Sequence, residues 1–180
     1  MKLLSKEDKE KIKQLILEGK VFIYPTDTIY GLGCDATNYD SVERVREIKM
    51  RRERPFSVIA PSKEWILRNC KVEGSELDIL PGPYTLVVEL RAKCVAENVN
   101  LGLKTLGVRI PDHWFSKLVE ELNIPVVTTS ANISGEKYMT SIDDIDKRIK
   151  NAVDFVVYEG RKEGKPSKVI DLTSGKVLRN

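Results

Sequence analysis

The sequence predicts an α/β layer protein with a mixed sheet. Short apolar runs alternate along the chain with segments whose apolar residues recur at helical spacing, and this alternation favours parallel strands joined by helices. The last strand-like runs have no helix between them, which indicates that the sheet also contains antiparallel pairs. At 180 residues the chain is long enough to bury one core, so we expect a single domain.

Capping residues mark where the predicted helices begin. Ser5 and Asp8 form a capping-box pair before the first helix, and Ser141 with Asp144 repeats that pattern before the last. Ser62 is placed to cap another helix. The five predicted helices span about residues 6–18, 41–49, 62–69, 113–122 and 142–150.

The predicted strands are short and mostly apolar, as expected for strands that are buried in a sheet. Pro25 ends the first strand and Pro111 ends another, since proline cannot donate to a strand ladder. The predicted strands span about residues 21–24, 55–60, 85–90, 106–110, 124–129, 155–158, 168–172 and 176–178. Glu159–Pro166 is interpreted as a mobile loop rather than a domain boundary.

The overall charge is too small to suggest a protein that coats nucleic acid. The chain has 30 Lys and Arg against 27 Asp and Glu, a net charge of +3, so an anion site must come from local clustering. Cys34, Cys70 and Cys94 form no C-x-x-C pair, which argues against a disulfide framework or a zinc site. No apolar run approaches about 18 residues and no signal-peptide pattern is present, so we expect a cytoplasmic protein without a membrane partner.

A basic segment, Lys49–Arg54, lies between a predicted helix and a predicted strand. It carries four cations and one carboxylate in six residues. Cations at this position can simply complement the helix dipole in a solvated turn. Four neighbouring cations also repel one another unless an anion is bound, and arginine is suited to bidentate contacts with phosphate or carboxylate. Both interpretations remain open from the segment alone.

Two loops rich in hydroxyl side chains follow predicted strands. Thr26–Gly33 is neither a Walker A nor a G-x-G-x-x-G sequence, and its glycines can serve a turn alone. Thr128–Gly135 follows what we expect to be a parallel strand, at the end where open α/β sheets bind ligands; a plain turn is the alternative. Arg109 lies within a predicted strand, where a guanidinium group needs a carboxylate or phosphate partner.

The sequence offers little equipment for proton-transfer catalysis, because it has no paired-carboxylate site and no Ser-His-Asp pattern. Its only histidine, His113, stands at a predicted helix start and is interpreted as structural rather than as a metal ligand. The recurring combination is a cation with a hydroxyl group. That combination suits anion binding and nucleotidyl transfer, which depend on positioning and charge neutralisation.

Five motifs, in order along the chain, resemble those of the YrdC-like family, whose single-domain members are threonylcarbamoyl-AMP synthases. The motifs are Tyr24–Gly33 (YPTDTIYGLG), Lys49–Arg51 (KMR), Leu80–Leu86 (LPGPYTL), Gly107–Pro111 (GVRIP) and Thr129–Gly135 (TSANISG). The resemblance implies a twisted, open mixed sheet with flanking helices, whose concave face forms a positively charged groove. It further implies one domain over residues 1–180, with no additional C-terminal domain.

The resemblance also implies a reaction, in which L-threonine, bicarbonate and ATP give L-threonylcarbamoyladenylate and pyrophosphate. Mg²⁺ would be bound with the ATP phosphates, and no metal would be held by protein side chains. Other proteins would then transfer the threonylcarbamoyl group to an adenosine of tRNA. A tRNA would therefore be a partner either directly or through that downstream complex.

Family roles carried over by position give two sets of site residues. The resemblance assigns the catalytic role to Lys49 and Arg51. The ATP contacts it implies are Lys49, Arg51, Arg54, Thr105, Ser130, Asn132 and Arg179. The L-threonine contacts it implies are Thr28, Arg109, Thr128 and Ser167.

Three departures from the family pattern bear on these roles. The basic motif is one residue shorter than usual, so the register of Arg52 and Arg54 is open. Lys137–Thr140 stands where the family usually has Pro-Ser-Pro-Thr. In the family that segment supplies one hydroxyl contact to ATP, and the departure bears on this contact. Lys168 replaces a threonine.

Two other functions fit parts of the sequence. A double-stranded RNA or tRNA-binding module of the same fold, without synthase activity, would place the basic segment against a phosphate backbone. The small net charge and the lack of aromatic residues among the basic ones count against it. The carbamoyl-adenylate step of hydrogenase maturation uses a related domain, but that enzyme also carries zinc-finger cysteine pairs, which this chain lacks.

Overall fold

A single sheet of eleven strands runs through the computed structural model, which describes residues 1–180. The strands are β1 (Lys2–Leu4), β2 (Phe22–Tyr24), β3 (Gly31–Gly33), β4 (Ser57–Ile59), β5 (Cys70–Lys71), β6 (Tyr84–Leu90), β7 (Thr105–Arg109), β8 (Val126–Ser130), β9 (Phe155–Val157), β10 (Lys168–Asp171) and β11 (Lys176–Arg179). The helices are α1 (Lys9–Leu17), α2 (Tyr39–Lys49), α3 (Lys63–Asn69), α4 (Glu97–Asn100), α5 (Trp114–Leu122) and α6 (Lys147–Ala152). None of the helices combines the length and apolar composition that a membrane crossing requires.

The sheet is open and mixed, which confirms the predicted fold class. Its strand order is β1-β9-β2-β3-β8-β4-β7-β6-β10-β11, with β5 paired to β6 beside this path. The pairs β1–β9, β2–β9, β4–β7 and β6–β10 are parallel. β8 is antiparallel to both β3 and β4, so the expectation that Thr128–Gly135 follows a parallel strand is wrong. Pairing between distant segments sets the direction of a strand, and the local apolar run carries no information about it.

The two faces of the sheet pack against different helices. Successive side chains of a strand point to opposite faces, and accordingly Ile23 belongs to one hydrophobic cluster while Phe22 and Tyr24 belong to the other. The larger cluster, of 31 buried residues, includes side chains from α2, α3, α4 and α6. The smaller cluster, of 12 residues, draws its helical side chains from α1 and α5.

Beyond the smaller cluster, the same face of the sheet carries small polar side chains. Val58 and Val108 belong to the larger cluster, so their neighbours Ser57 and Arg109 point to the opposite face of the sheet. We call this face, which also carries the smaller cluster, the second face. Gly107 lies opposite Ser57, and a Cβ atom at Gly107 would come within 2.3 Å of Ser57 Oγ. This part of the sheet therefore carries small and polar side chains rather than large apolar ones.

Local signals predicted the caps better than they predicted the shortest elements. The Ser5–Asp8 and Ser141–Asp144 capping boxes are both present, but each caps a 3₁₀ turn. The α-helices that follow therefore begin later than predicted, at Lys9 and at Lys147. β1, β3, β5 and α4 are not predicted, because two to four residues are too few to display a hydrophobic period.

Candidate active site

A cavity of about 310 Å³ lies on the polar part of the second face. Three guanidinium groups line it, those of Arg51, Arg109 and Arg179. Hydroxyl groups on separate segments complete the lining, among them those of Thr28, Thr85, Thr128, Ser130 and Ser167. All four predicted threonine contacts and three of the predicted ATP contacts thus surround one space.

Arg109 is buried and uses only one nitrogen atom for a hydrogen bond. Its Nη2 donates to Asp27 Oδ1 at 2.6 Å, and Asp27 Oδ2 accepts from the backbone N–H of Asp112 at 3.1 Å. Burial lowers the pKa of Arg109, while the neighbouring Asp27 carboxylate opposes that shift. The Arg109 Nε is buried without a partner. The partner carboxylate predicted for this strand arginine is Asp27, and the remaining donors suit a bound carboxylate.

Thr28 presents a hydrogen-bond acceptor to the cavity. Thr26 Oγ1 donates its only proton to the carbonyl of Ile29 at 2.7 Å, so in the 2.9 Å contact between the two threonine hydroxyls Thr28 is the donor. Its lone pairs remain available for a ligand group that carries hydrogen, such as an ammonium or a hydroxyl. Arg109 and Thr28 together therefore match a molecule with both an acceptor end and a donor end.

Ser167 and Arg179 form the opposite wall of this cavity. Arg179 Nε donates to the Ser167 carbonyl at 2.8 Å, and its Nη2 donates to Ser167 Oγ at 3.1 Å. The Ser167 hydroxyl also contacts Thr85 Oγ1 at 2.8 Å. This bidentate attachment joins the end of β11 to the residue before β10, its neighbour in the sheet, and fixes the guanidinium plane of Arg179 at the cavity wall.

A larger cleft of about 1290 Å³ adjoins the small cavity. Arg51 and Ser130 line both spaces, so they mark the junction. The cleft is also lined by the rest of the basic segment, including Arg52 and Arg54, and by Asn132. A molecule too long for the small cavity can therefore extend past Arg51 into a cleft that is rich in arginine.

Lys49 is directed at the loop after β8. Its Nζ donates to the Ser130 carbonyl at 2.7 Å, to the Asn132 carbonyl at 2.8 Å and to Asn132 Oδ1 at 3.0 Å. These three bonds account for all three hydrogens of the ammonium group, which is 1% exposed. Burial, with a smaller contribution from Arg51, lowers the pKa of Lys49 to about 7. In this conformation Lys49 holds the Ser130–Asn132 loop and has no donor left for a phosphate.

Arg51 is the guanidinium group at the junction that retains a free donor. Its Nη2 donates to the Pro55 carbonyl at 2.7 Å, and its Nε is buried without a partner. The group lies 5.2 Å from the ring centroid of Phe56. Burial and the nearby Arg46, Arg54 and Arg179 lower its pKa. An arginine crowded by other cations and short of one hydrogen bond is well suited to an anion.

The loop Glu159–Pro166 packs against the Thr28 side of the small cavity, and its last residue, Pro166, lines the cavity. A Cβ atom at Gly164 would come within 2.1 Å of the Thr28 carbonyl, so the loop backbone lies directly on Thr28. Tyr30 Oη donates to the Gly160 carbonyl at 2.6 Å. These contacts attach the loop to the cavity wall, while its interpretation as a mobile loop stays a prediction.

The Glu159 carboxylate anchors the first end of this loop to α5. It accepts from His113 Nε2 at 2.8 Å and from Trp114 Nε1 at 2.7 Å, and it also pairs with Lys162. His113 Nδ1 accepts from the backbone N–H of Phe115 at 3.3 Å, which places the proton on Nε2. His113 is thus the N-cap of α5, as its interpretation as a structural residue predicts.

Three polar residues lie apart from the small cavity. Thr105 begins β7 on the same face as Arg109, four residues away, and lines neither space. Arg54 is exposed and lines only the larger cleft. Thr140, in the segment that departs from the family pattern, directs its hydroxyl to Asp144 Oδ2 at 2.5 Å. The roles of Thr105 and Arg54 toward ATP stay predictions.

Asp27 and Arg46 are prominent in the site but were not singled out by the sequence. Asp27 stands between two threonines directly after β2, and Arg46 occupies a position of α2 in phase with the buried Val42 and Lys49. A charged residue on the apolar face of a helix is the signal that identifies Arg46. For Asp27 the only signal is its place within the first motif.

Fold and site together define a class: an open-sheet α/β protein with an arginine-rich and hydroxyl-rich site on the polar part of one face. A family model, Sua5/YciO/YrdC, described as "Telomere recombination", matches residues 14–180. The chain belongs to this family. A Methanocaldococcus jannaschii protein, provisionally named a threonylcarbamoyl-AMP synthase, is 35% identical over 189 residues, which cover 97% of this chain and 87% of that protein.

Solved structures of similar proteins have the same fold as this chain. The crystal structure of P. abyssi Sua5 complexed with L-threonine is 30% identical with a TM-score of 0.84, covering 96% of this chain and 54% of that one. This chain thus spans about half the length of the P. abyssi protein. The E. coli YciO structure, at 23% identity and a TM-score of 0.85, covers 99% of this chain and 94% of that chain and is similar in fold.

Proposed function

We propose that this protein is a threonylcarbamoyl-AMP synthase, which condenses L-threonine, bicarbonate and ATP to L-threonylcarbamoyladenylate and pyrophosphate. The observation that carries the proposal is the small cavity, with its free Arg109 donors and its Thr28 acceptor, opening past Arg51 into the arginine-rich cleft. Its dimensions fit an amino acid beside one end of a nucleotide. The relative that was crystallised with L-threonine and the relative named as a synthase both support this assignment.

The amino acid would be held by complementary groups. Arg109 donates to the carboxylate from its unpaired nitrogen atoms, while Asp27 fixes the orientation of the guanidinium group. Thr28 accepts from the amino or hydroxyl group of threonine, and Thr128 and Ser167 supply further hydroxyls. The loop at Gly164 packs against the Thr28 backbone and would hold Thr28 in place.

The chemistry would consist of two bond-forming steps. The threonine amine attacks the carbon of bicarbonate, water leaves, and an N-carboxylate forms. An oxygen of that carboxylate attacks the α-phosphorus of ATP, and the bond to pyrophosphate breaks. Arg51 and Arg179 border the space where negative charge accumulates, so they would stabilise the transition state by charge neutralisation. Lys49 and Asn132 would keep Ser130 in place at the junction, and Thr105 and Arg54 would contribute contacts to ATP.

Magnesium would bind through the phosphates of ATP. The structure has no group of three or more His, Cys, Asp or Glu side chains placed to hold a metal ion. Mg²⁺ commonly binds through substrate phosphates and water with few protein ligands. The product would then pass to proteins that modify an adenosine of tRNA.

The decisive test is pyrophosphate release by the purified protein with ATP, bicarbonate and magnesium. Release is expected only when L-threonine is added, and the adenylate is expected in the product mixture by mass spectrometry. Release without threonine, or none at all, would overturn the proposal. If RNA binding that weakens steeply with salt and ignores threonine is found instead, the protein is an RNA-binding module of this fold.

A further inference from the structure

Arg46 is a buried cation without a carboxylate partner. It is 4% exposed, and no acidic side chain lies within ion-pair distance of it. Its guanidinium group instead donates to four backbone carbonyls, those of Asn98 at 2.7 Å and of Val99, Arg51 and Arg54 at 3.1 Å each. A buried guanidinium group is costly to desolvate, and here it is satisfied by peptide dipoles alone.

These four carbonyls belong to two segments that Arg46 joins. Two of them belong to Arg51 and Arg54 in the basic segment, and two lie in α4. Phe56 follows the basic segment, its N–H donates to the Val99 carbonyl at 2.8 Å, and its ring lies 4.5 Å from the Arg46 guanidinium carbon. The basic segment is therefore folded around a single guanidinium group.

The same contacts determine where Arg51 points. The Arg51 guanidinium carbon also lies over the Phe56 ring, at 5.2 Å from its centroid, and Arg51 Nη2 donates to the Pro55 carbonyl. Both of these partners are held by the segment that Arg46 closes. The position of Arg51 at the junction of the two spaces thus depends on hydrogen bonds made by Arg46.

We infer that Arg46 is a positioning residue for the nucleotide side of the site: it sets the conformation of the basic segment and so aims Arg51 at the phosphates. The inference rests on the proposed function for the identity of the nucleotide. Arg109 and Thr28 are carried by β7 and by the loop after β2, and Arg46 makes no hydrogen bond to either segment. Binding of ATP therefore depends on Arg46, whereas binding of threonine does not.

Lysine is the informative substitution at this position. Arg46→Lys keeps the charge, but a single ammonium group cannot span four carbonyls that the planar guanidinium group reaches together. The matched control is Arg44→Lys on the same helix, where Arg44 pairs with Asp154 at 3.0 Å, away from both spaces. The comparison separates loss of the guanidinium geometry from loss of charge.

The experiment titrates each variant with a non-hydrolysable ATP analogue and, separately, with L-threonine in a calorimeter. Arg46→Lys is expected to weaken analogue binding by about tenfold or more, the effect of losing hydrogen bonds from a charged donor. The affinity of Arg46→Lys for threonine is expected to stay within about twofold of wild type, because threonine does not contact residue 46. The affinities of Arg44→Lys for both ligands are expected to stay within about twofold of wild type, because neither ligand contacts residue 44. Unchanged analogue affinity, or equal weakening for both ligands, overturns the inference.

Hydrogen exchange provides the second readout. Faster exchange confined to residues 50–56 in Arg46→Lys supports a local effect on the basic segment; uniformly faster exchange across the chain means general destabilisation and overturns the inference. A wild-type protein that binds the analogue but releases no pyrophosphate with threonine refutes the proposed function alone. A wild-type protein that binds no analogue overturns the inference about Arg46.

Discussion

The small cavity and the larger cleft share Arg51 and Ser130, yet they are built differently. Strands supply ten of the nineteen residues that line the small cavity, and six of the ten come from β4, β6, β7 and β8, each of which is paired on both sides. The cleft is walled by α2, the basic segment and the loop after β8. Arg109 in the small cavity pairs with a carboxylate, that of Asp27, whereas Lys49 and Arg46 beside the cleft bond only to carbonyl and amide oxygens.

This difference shows two ways to hold a cation in place. An ion pair fixes Arg109 and partly neutralises it, which leaves a site suited to the single charge of an amino-acid carboxylate. Carbonyl and amide oxygens hold Lys49 and Arg46 without a carboxylate partner. The lining of the cleft has four arginines and Lys49 against three glutamates, so its net field favours a polyphosphate. Four predictions test the contrast.

The largest expected effect is the loss of stability when the ion pair between Arg109 and Asp27 is broken. Arg109→Met leaves the Asp27 carboxylate buried without its partner, and breaking such a pair lowers the free energy of unfolding by about 3–5 kcal/mol. Urea denaturation measures the change. The double variant Asp27→Asn/Arg109→Met is expected to recover much of the stability but none of the threonine binding. A single variant as stable as wild type would show that the pair is not buried in solution.

Arg51→Ala tests the junction. Loss of one preorganised charge-stabilising donor is expected to cost about 2–4 kcal/mol of transition-state stabilisation, so kcat/KM for ATP should fall by about 30- to 1000-fold. The fold should be retained, because Arg51 makes only one hydrogen bond of its own. Arg44→Ala is the control and should leave kcat/KM near the wild-type value. An unchanged kcat/KM in Arg51→Ala would place the phosphate contacts elsewhere.

Gly164→Ala tests the loop over the small cavity. The added Cβ would meet the Thr28 carbonyl at 2.1 Å, so the loop must move away, at a cost of about 1–3 kcal/mol in stability. The KM for threonine should rise while affinity for the ATP analogue changes little. Gly74→Ala is the control, since a Cβ there meets nothing within 4 Å. Equal KM values for threonine in the two variants would contradict the placement of the loop.

The smallest expected effect concerns pH and the Glu159 anchor. Burial alone would raise the pKa of Glu159, but hydrogen bonds from Lys162, Trp114 and His113 outweigh it and hold the pKa below its usual value. The folded protein therefore binds this proton less readily than the unfolded chain, and stability is lost as pH falls from about 4.5 through the folded pKa. Glu159→Gln should flatten this part of the curve in thermal unfolding. If the variant loses stability equally steeply as pH falls, other carboxylates cause the loss.

Much of the fold could be predicted because its signals are local. Ser5, Ser62 and Ser141 cap the turns or helices that they were expected to cap, and the apolar runs form strands close to the predicted bounds. The elements not predicted are short, and they exist through pairing: β3 is a strand because β2 and β8 flank it. A sequence pattern shows the periodicity of neighbouring residues, but it does not show which distant strand a three-residue segment pairs with.

By itself the sequence determined the fold class, the capping residues and several of the cations and hydroxyls that line the two spaces, although not Arg46. Only the tertiary structure decided which partners those groups have. Asp27 reaches Arg109 across 82 residues, and Lys49 reaches Ser130 across 81. The tertiary structure also decided that Lys49 holds a loop while Arg51 keeps a free donor, although both belong to one motif. The reason is that a charged side chain is positioned by whichever acceptors the folded chain brings within about 3 Å, and those acceptors come from segments that no local pattern connects.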